Sequence, residues 1–154
     1  MRLTLLCVGK LGRAPEAALA RDYAARATAA GRALGLGPVD IIEVEARKAG
    51  KAGEGDALLA RLDGARLIAC DERGQAFDSR AFAALIARLR DAGERRLAFT
   101  VGGPDGLDER VLAASRERLS FGAQTWPHAL VRAMLAEQVY RAVTIIAGSP
   151  YHRD

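Results

Sequence analysis

L-A-F-T-V-G-G-P-D-G-L, Leu97 to Leu107, is the stretch whose reading decides the fold. Its first five residues are apolar apart from one Thr and read as a strand. That strand runs without a spacer into Gly102-Gly103-Pro104-Asp105-Gly106, a turn whose glycines let backbone or ligand approach closely. A helix is predicted next, over Asp108–Arg116.

The same unit of strand, small-residue turn and helix recurs on both sides. Toward the N-terminus, Arg2–Gly9 reads as a buried strand closed by Gly9, and Pro15 opens a helix with Leu19, Tyr23, Ala27 and Ala30 at helical spacing. Val39–Val44 is a second strand. Ala46–Asp56, A-R-K-A-G-K-A-G-E-G-D, reads as a mobile loop with a positive tip, either an RNA-backbone contact or a solvated linker. A brief helix over Ala57–Leu62 leads to strand Arg66–Cys70 and the turn Asp71–Gly74. Asp78-Ser79 caps a helix from Arg80 to Asp91 with Phe82, Leu85, Ile86 and Leu89 on its inner face, and Gly93 stops it.

Toward the C-terminus come strand Leu119–Phe121, the turn Gly122-Ala123-Gln124-Thr125, and a helix from Pro127 to about Ala147. This last helix is apolar on most sides and must be covered on several faces, one of them by a second subunit. Val139 is the candidate outward-facing residue for that contact. Alternating strands and helices with glycine turns at the strand tips give an α/β fold with a mostly parallel sheet flanked by helices. One domain over residues 1–154 accounts for the length, with no internal repeat.

Half of the residues are hydrophobic and 27% charged, which excludes a disordered chain. A formal charge of +4 permits a nucleic-acid partner without demanding one. Cys7 and Cys70 fall in strand-like runs, so buried thiols are expected in place of a disulfide or metal pair, and no zinc-type spacing occurs. The first ten residues are too short for a signal peptide or a membrane span, which points to the cytoplasm and to no membrane partner.

Ligands of open α/β sheets bind beyond the carboxyl ends of the strands. Three tips qualify: Cys70-Asp71, Gly102-Gly103-Pro104 and Gly122–Trp126. The glycine spacing matches neither the P-loop nor the dinucleotide fingerprint. Both histidines lie in the last third. His128 follows Pro127, with Arg132 one turn later, and His152 stands in the ending Pro150-Tyr151-His152-Arg153-Asp154. A tail carrying an aromatic ring, an imidazole and a guanidinium suits a base and a phosphate, provided that it docks. Glu137 and Arg141, four residues apart on the helix, read as a structural pair.

Together G-G-P-x-G at 102–106, P-H-x-L-V-R at 127–132, E-Q-x-Y-R-A at 137–142 and P-Y-H-R at 150–153 resemble the small SPOUT-class methyltransferases. These modify N3 of a pseudouridine in bacterial large-subunit (23S) ribosomal RNA, and the order of elements agrees along the whole chain. The resemblance implies a SPOUT fold with a C-terminal trefoil knot, an exception to the rule against threaded chains. It further implies a homodimer that takes S-adenosylmethionine without a metal and acts on the large subunit or the 70S ribosome.

Carried over residue by residue, the cofactor side comprises Cys70, Gly102, Phe121, Gly122, Ala123, Gln124, Thr125 and Trp126. The substrate side comprises His128, Arg132, Tyr151, His152 and Arg153, with the tail closing over the target nucleotide. Position 70 departs from the family, which often carries a larger aliphatic residue there. A non-catalytic RNA-binding factor of the same fold and a relative acting on tRNA are the rival readings; intact turns and the Y-H-R ending count against them.

Overall fold

The computed structural model describes residues 1–153; Asp154 lies outside the described residues. Five parallel strands, β1 (Arg2–Val8), β2 (Val39–Val44), β3 (Arg66–Ala76), β4 (Arg96–Val101) and β5 (Glu117–Ser120), form one sheet in the order β2-β1-β4-β3-β5. The connecting helices are α1 (Pro15–Gly31), α2 (Lys51–Leu59), α3 (Ser79–Asp91) and α4 (Glu109–Ala114), with α5 (His128–Ile146) after the last strand.

Side-chain alternation along β1 divides the core. Leu3, Leu5 and Cys7 enter a cluster shared with α1, α3 and α5, whereas Leu6 and Val8 enter one shared with α2 and α4. Helices therefore cover both faces of the sheet, as a parallel sheet requires.

Asp78 caps α3 by accepting a 2.7 Å hydrogen bond from the Ala81 N–H, and Phe82, Leu85, Ile86 and Leu89 are buried as the spacing predicts. α1 differs from its pattern. Its buried stripe is Ala17, Ala20, Ala24 and Ala27, small residues that let α5 approach closely, while Leu19 is turned outward and is 48% exposed. Of the expected face, Ala27 is fully buried and Tyr23 and Ala30 pack against the core, so only Leu19 is misplaced.

Two loop expectations are overturned. Lys51–Leu59 is helical, not part of a mobile loop, even though it carries Gly53 and Gly55. Both glycines are buried against other parts of the chain, and tertiary packing overrides their low helix propensity. Asp71–Gly74 is no free turn either. β3 continues to Ala76, pairing β5 through Ile68–Cys70 and again through Gln75–Ala76. The intervening arch lies on β5 so closely that a Cβ on Gly74 would meet the Arg118 carbonyl carbon at 2.7 Å.

Val139 is also corrected. It is fully buried within its own chain, and Leu130, 39% exposed, is the outward-facing apolar residue of α5. A helix that is apolar nearly all round does not reveal which side the rest of its own chain covers.

Candidate functional site

Because every strand is parallel, all five carboxyl tips emerge at one end of the sheet. A cleft of about 310 Å³ opens there. Its walls are Cys70–Arg73 in the arch of β3, Val101–Leu107 from the end of β4 onward, and Phe121, Gly122 and Gln124–Trp126 after β5, with His128 and Val131 of α5 and Lys51 of α2.

The G-G-P-D-G turn is folded on itself. The Gly106 N–H donates to the Gly103 carbonyl at 3.0 Å, and Gly106 has φ +80°, a conformation that favours glycine. A Cβ on Gly102 would lie 2.8 Å from the Gly106 carbonyl, so Gly102 is required first by the turn itself. On the facing wall Gly122 has φ +108°. The Ser120 hydroxyl accepts from the Gly122 N–H at 3.2 Å and lies 3.1 Å and 3.2 Å from the Gly122 and Glu72 carbonyls. One hydroxyl thus ties the β5 turn to the β3 arch.

Asp71 accepts from the Arg73 N–H at 2.9 Å and from its guanidinium at 3.2 and 3.3 Å. Burial disfavours the Asp71 charge, but these hydrogen bonds outweigh it and hold the carboxyl below its usual range. Arg73 is thereby fixed at the rim. The Cys70 thiol faces apolar surroundings whose desolvation pushes its pKa well up, so it stays neutral and contributes no nucleophile. Cys7, also desolvated, is pushed up to about 12.

His128 is the first residue of α5 and half-buried at the cleft wall. Arg132, one turn on, points inward and is 1% exposed. Its guanidinium donates to the Gly9 carbonyl at 2.9 Å, to Glu43 at 3.2 Å and to the Val8 carbonyl. It ties the start of α5 to the tips of β1 and β2.

The tail docks, but elsewhere. The Tyr151 ring packs on Tyr140 with centroids 4.6 Å apart, under the Arg141 guanidinium at 4.9 Å, and its hydroxyl donates to Glu137 at 3.0 Å. His152 Nδ1 lies 3.3 Å from Arg141. Arg153 is exposed.

Of the residues anticipated from sequence, Cys70, Gly102, Phe121, Gly122, Gln124, Thr125, Trp126 and His128 share the cleft. Ala123 is exposed on the same turn without lining it, Arg132 lies behind the wall, and Tyr151, His152 and Arg153 are not part of that wall. Asp71, marked with Cys70 as a candidate strand tip, lines the cleft too, whereas Arg73 and the place of Lys51 at the cleft were missed. Arg73 stands three residues past Cys70, so its nearness to that tip was the available signal; Lys51 was marked only as part of the positive segment Ala46–Asp56.

With this geometry the comparisons with known proteins agree. The family model described as "Predicted SPOUT methyltransferase" matches residues 1–152. The chain belongs to the SPOUT methyltransferase family. A relative from Caulobacter vibrioides named "Ribosomal RNA large subunit methyltransferase H" is 66% identical over 154 residues, covering 100% of this chain and 99% of its own. One of the same name from Paracoccus denitrificans is 51% identical over 156 residues, with 100% of both chains covered. Among solved structures, a probable methylase family protein from Haemophilus influenzae superimposes with TM-score 0.55 at 12% identity, over 99% of this chain and 70% of that one. That likeness is one of fold. Five parallel strands flanked by helices are thus the SPOUT arrangement. Among the described residues no helix is long and apolar enough to cross a membrane.

Proposed function

We propose that this SPOUT methyltransferase methylates N3 of a pseudouridine in 23S ribosomal RNA, with S-adenosylmethionine as methyl donor and a homodimer as the working unit. The observation that carries the reading is the cleft itself, where the Gly102–Gly106 and Phe121–Trp126 turns meet with His128 at the wall. Full-length relatives named for ribosomal RNA of the large subunit supply the substrate class.

The residues present fit such a cofactor. Bare glycine turns present main-chain N–H and C=O groups to a heterocycle edge and a ribose, and Leu119, Val131 and Trp126 add apolar wall. The sulfonium, when bound, supplies an electrophilic methyl group. What remains for the protein is alignment, exclusion of water and removal of the imide proton of N3. His128 is the group in the cleft suited to take that proton, as a neutral imidazole. Arg132, enclosed behind the wall, acts by holding the first turn of α5 that carries His128.

Tyr151, His152 and Arg153 serve the cleft of the second copy. In their own chain Tyr151 and His152 sit beside Glu137 and Arg141, and Glu137 is about 14 Å further along α5 than His128 at the helical rise. A second copy seated on the apolar face formed by Leu19, Tyr23, Phe77, Leu130 and Met134 brings its tail within reach. The trefoil knot belongs to the same reading; what supports it is the close approach of the β3 arch to the main chain of Arg118 and Leu119.

Two measurements test the whole. Calorimetric titration should show S-adenosylmethionine binding, and single-turnover transfer to 70S ribosomes, with the product nucleotide mapped, should place the methyl group on N3 of a pseudouridine. A methyl group on a ribose or on tRNA overturns the assignment.

A further inference from the structure

The segment that the sequence left open between RNA contact and linker, Ala46 to Asp56, is a built part of the molecule. Its backbone is pinned at three glycines. Gly50 has φ +87° and caps α2, its carbonyl accepting from the Glu54 N–H at 3.1 Å. A Cβ on Gly53 would lie 2.0 Å from the Lys48 carbonyl oxygen, and one on Gly55 would lie 2.8 Å from Asp108. Two glycines inside a helix cost about 1 kcal/mol each relative to alanine. A solvated linker needs no such packing; here it seats Lys48 directly on α2.

The cations of this segment form no ion pairs of their own. Arg47, Lys48 and Lys51 are exposed, and none forms an ion pair with another described residue. Three neighbouring acids are engaged elsewhere, Glu43 by Arg132 at 3.2 Å, Glu45 by Lys10 at 2.6 Å and Asp56 by Arg110 at 2.7 Å. Glu54, one turn after Lys51, forms no ion pair among the described residues and turns one carboxylate oxygen into the interior. Arg110 also holds Asp108, at 2.9 Å.

Position gives the cations a purpose. Lys51 lines the cleft of the candidate site, while Arg47 and Lys48 line a neighbouring groove between α2 and the end of edge strand β2. One short segment therefore leads from the mouth of the cleft into the groove. We propose that Arg47, Lys48 and Lys51 form a phosphate track that binds the RNA backbone beside the nucleotide entering the cleft, an inference that rests on the reading of the protein as an RNA methyltransferase. Cations on a fixed backbone, close in sequence and in no ion pair of their own, suit successive phosphodiesters. The carboxylates Glu43, Glu45 and Asp56 that share the groove are held by other cations.

The test is equilibrium binding of the full-length protein to protein-free large-subunit ribosomal RNA across a salt series. Each phosphate contact adds about 0.7 to the slope of log K against log salt concentration on a single strand. Arg47→Gln/Lys48→Gln should lower that slope by about 1.4 and weaken binding at moderate salt roughly tenfold or more. Its affinity for S-adenosylmethionine should not change, because neither residue lines the cleft. The charge-matched control is Arg95→Gln/Arg116→Gln, at exposed positions beside the amino ends of β4 and β5, and it should leave the slope as in the unaltered protein.

Equal slopes for the two double variants, or no salt-dependent RNA binding by the unaltered protein, overturn the track. So does a defect seen on ribosomal particles but absent on bare RNA, which would assign the patch to an acidic protein partner. The functional reading fails separately: a protein that shows the slope change yet transfers no methyl group keeps the track and loses the assigned chemistry.

Discussion

Gly102 and Arg132 show how a residue at a site serves the fold first. The Gly102 Cα faces main chain of its own turn, with the Gly106 carbonyl and Leu107 N–H 2.8 and 3.1 Å from where a Cβ would stand. Main chain yields less readily than a side-chain tip, so Gly102→Ala should push the turn open. The expected cost is about 1–3 kcal/mol of stability, together with weaker cofactor binding. Thermal unfolding and calorimetric titration read the two effects. Lost binding at unchanged stability would mean that the glycine meets only ligand. Arg132 is a buried cation with carbonyl and carboxylate partners, and removing it takes the donor from two carbonyl groups, while the exposed Glu43 still accepts from the Leu11 N–H at 2.9 Å. Arg132→Gln should cost roughly 1–3 kcal/mol in urea unfolding, the penalty of leaving buried acceptors without a donor. A variant as stable as the parent but unable to bind RNA would return Arg132 to the substrate side.

The C-terminal tail packs back on α5 and is not a loose end. Tyr151 stacks on Tyr140, lies under Arg141 and donates to Glu137. Burial first, then its hydrogen-bonded neighbours Tyr23 and Glu137, push the Tyr151 hydroxyl above its ordinary range. A raised folded pKa favours the protonated form. The stability it contributes is full below the unfolded value of about 10 and is lost as pH rises through the folded one. Tyr151→Phe keeps the ring and removes the hydroxyl, so it should cost about 1 kcal/mol at neutral pH. The difference from the parent should shrink at strongly alkaline pH, where the parent also loses its hydrogen bond. Denaturant midpoints at neutral and alkaline pH test this; an equal midpoint at neutral pH would mean that the tail lies free.

At the scale of the whole molecule, the apolar face of α1 and α5 is the seat proposed for the second copy. Leu19 and Leu130 are among the most exposed large hydrophobic residues of the described chain, and both border the same groove. Leu130→Glu places a charge on that face without entering the core. It should give a folded monomer by sedimentation that binds S-adenosylmethionine but transfers methyl to ribosomes at least about a hundredfold more slowly, as when positioning is lost. An active monomer would sink the composite site. Val139→Glu is no substitute for this test, because Val139 is fully buried and a carboxylate there would unfold the chain.

The sequence by itself determined the class of fold, because strand, turn and helix signals are local. L-A-F-T-V-G-G-P-D-G-L carries its strand and turn within eleven residues. The Asp78 cap and the inner face of α3 were legible for the same reason. Short specific motifs also marked the family and most of the cleft. The tertiary structure alone decided what depends on contacts between distant segments. It made a helix of G-E-G by packing it on Lys48 and Asp108, and it extended β3 past Cys70 by pairing it with β5. It drew Arg132 inward to carbonyls more than a hundred residues earlier and laid Tyr151 on Tyr140. Periodicity tells which side of a helix is apolar, but the side the chain itself covers is set by where the other helices come to rest.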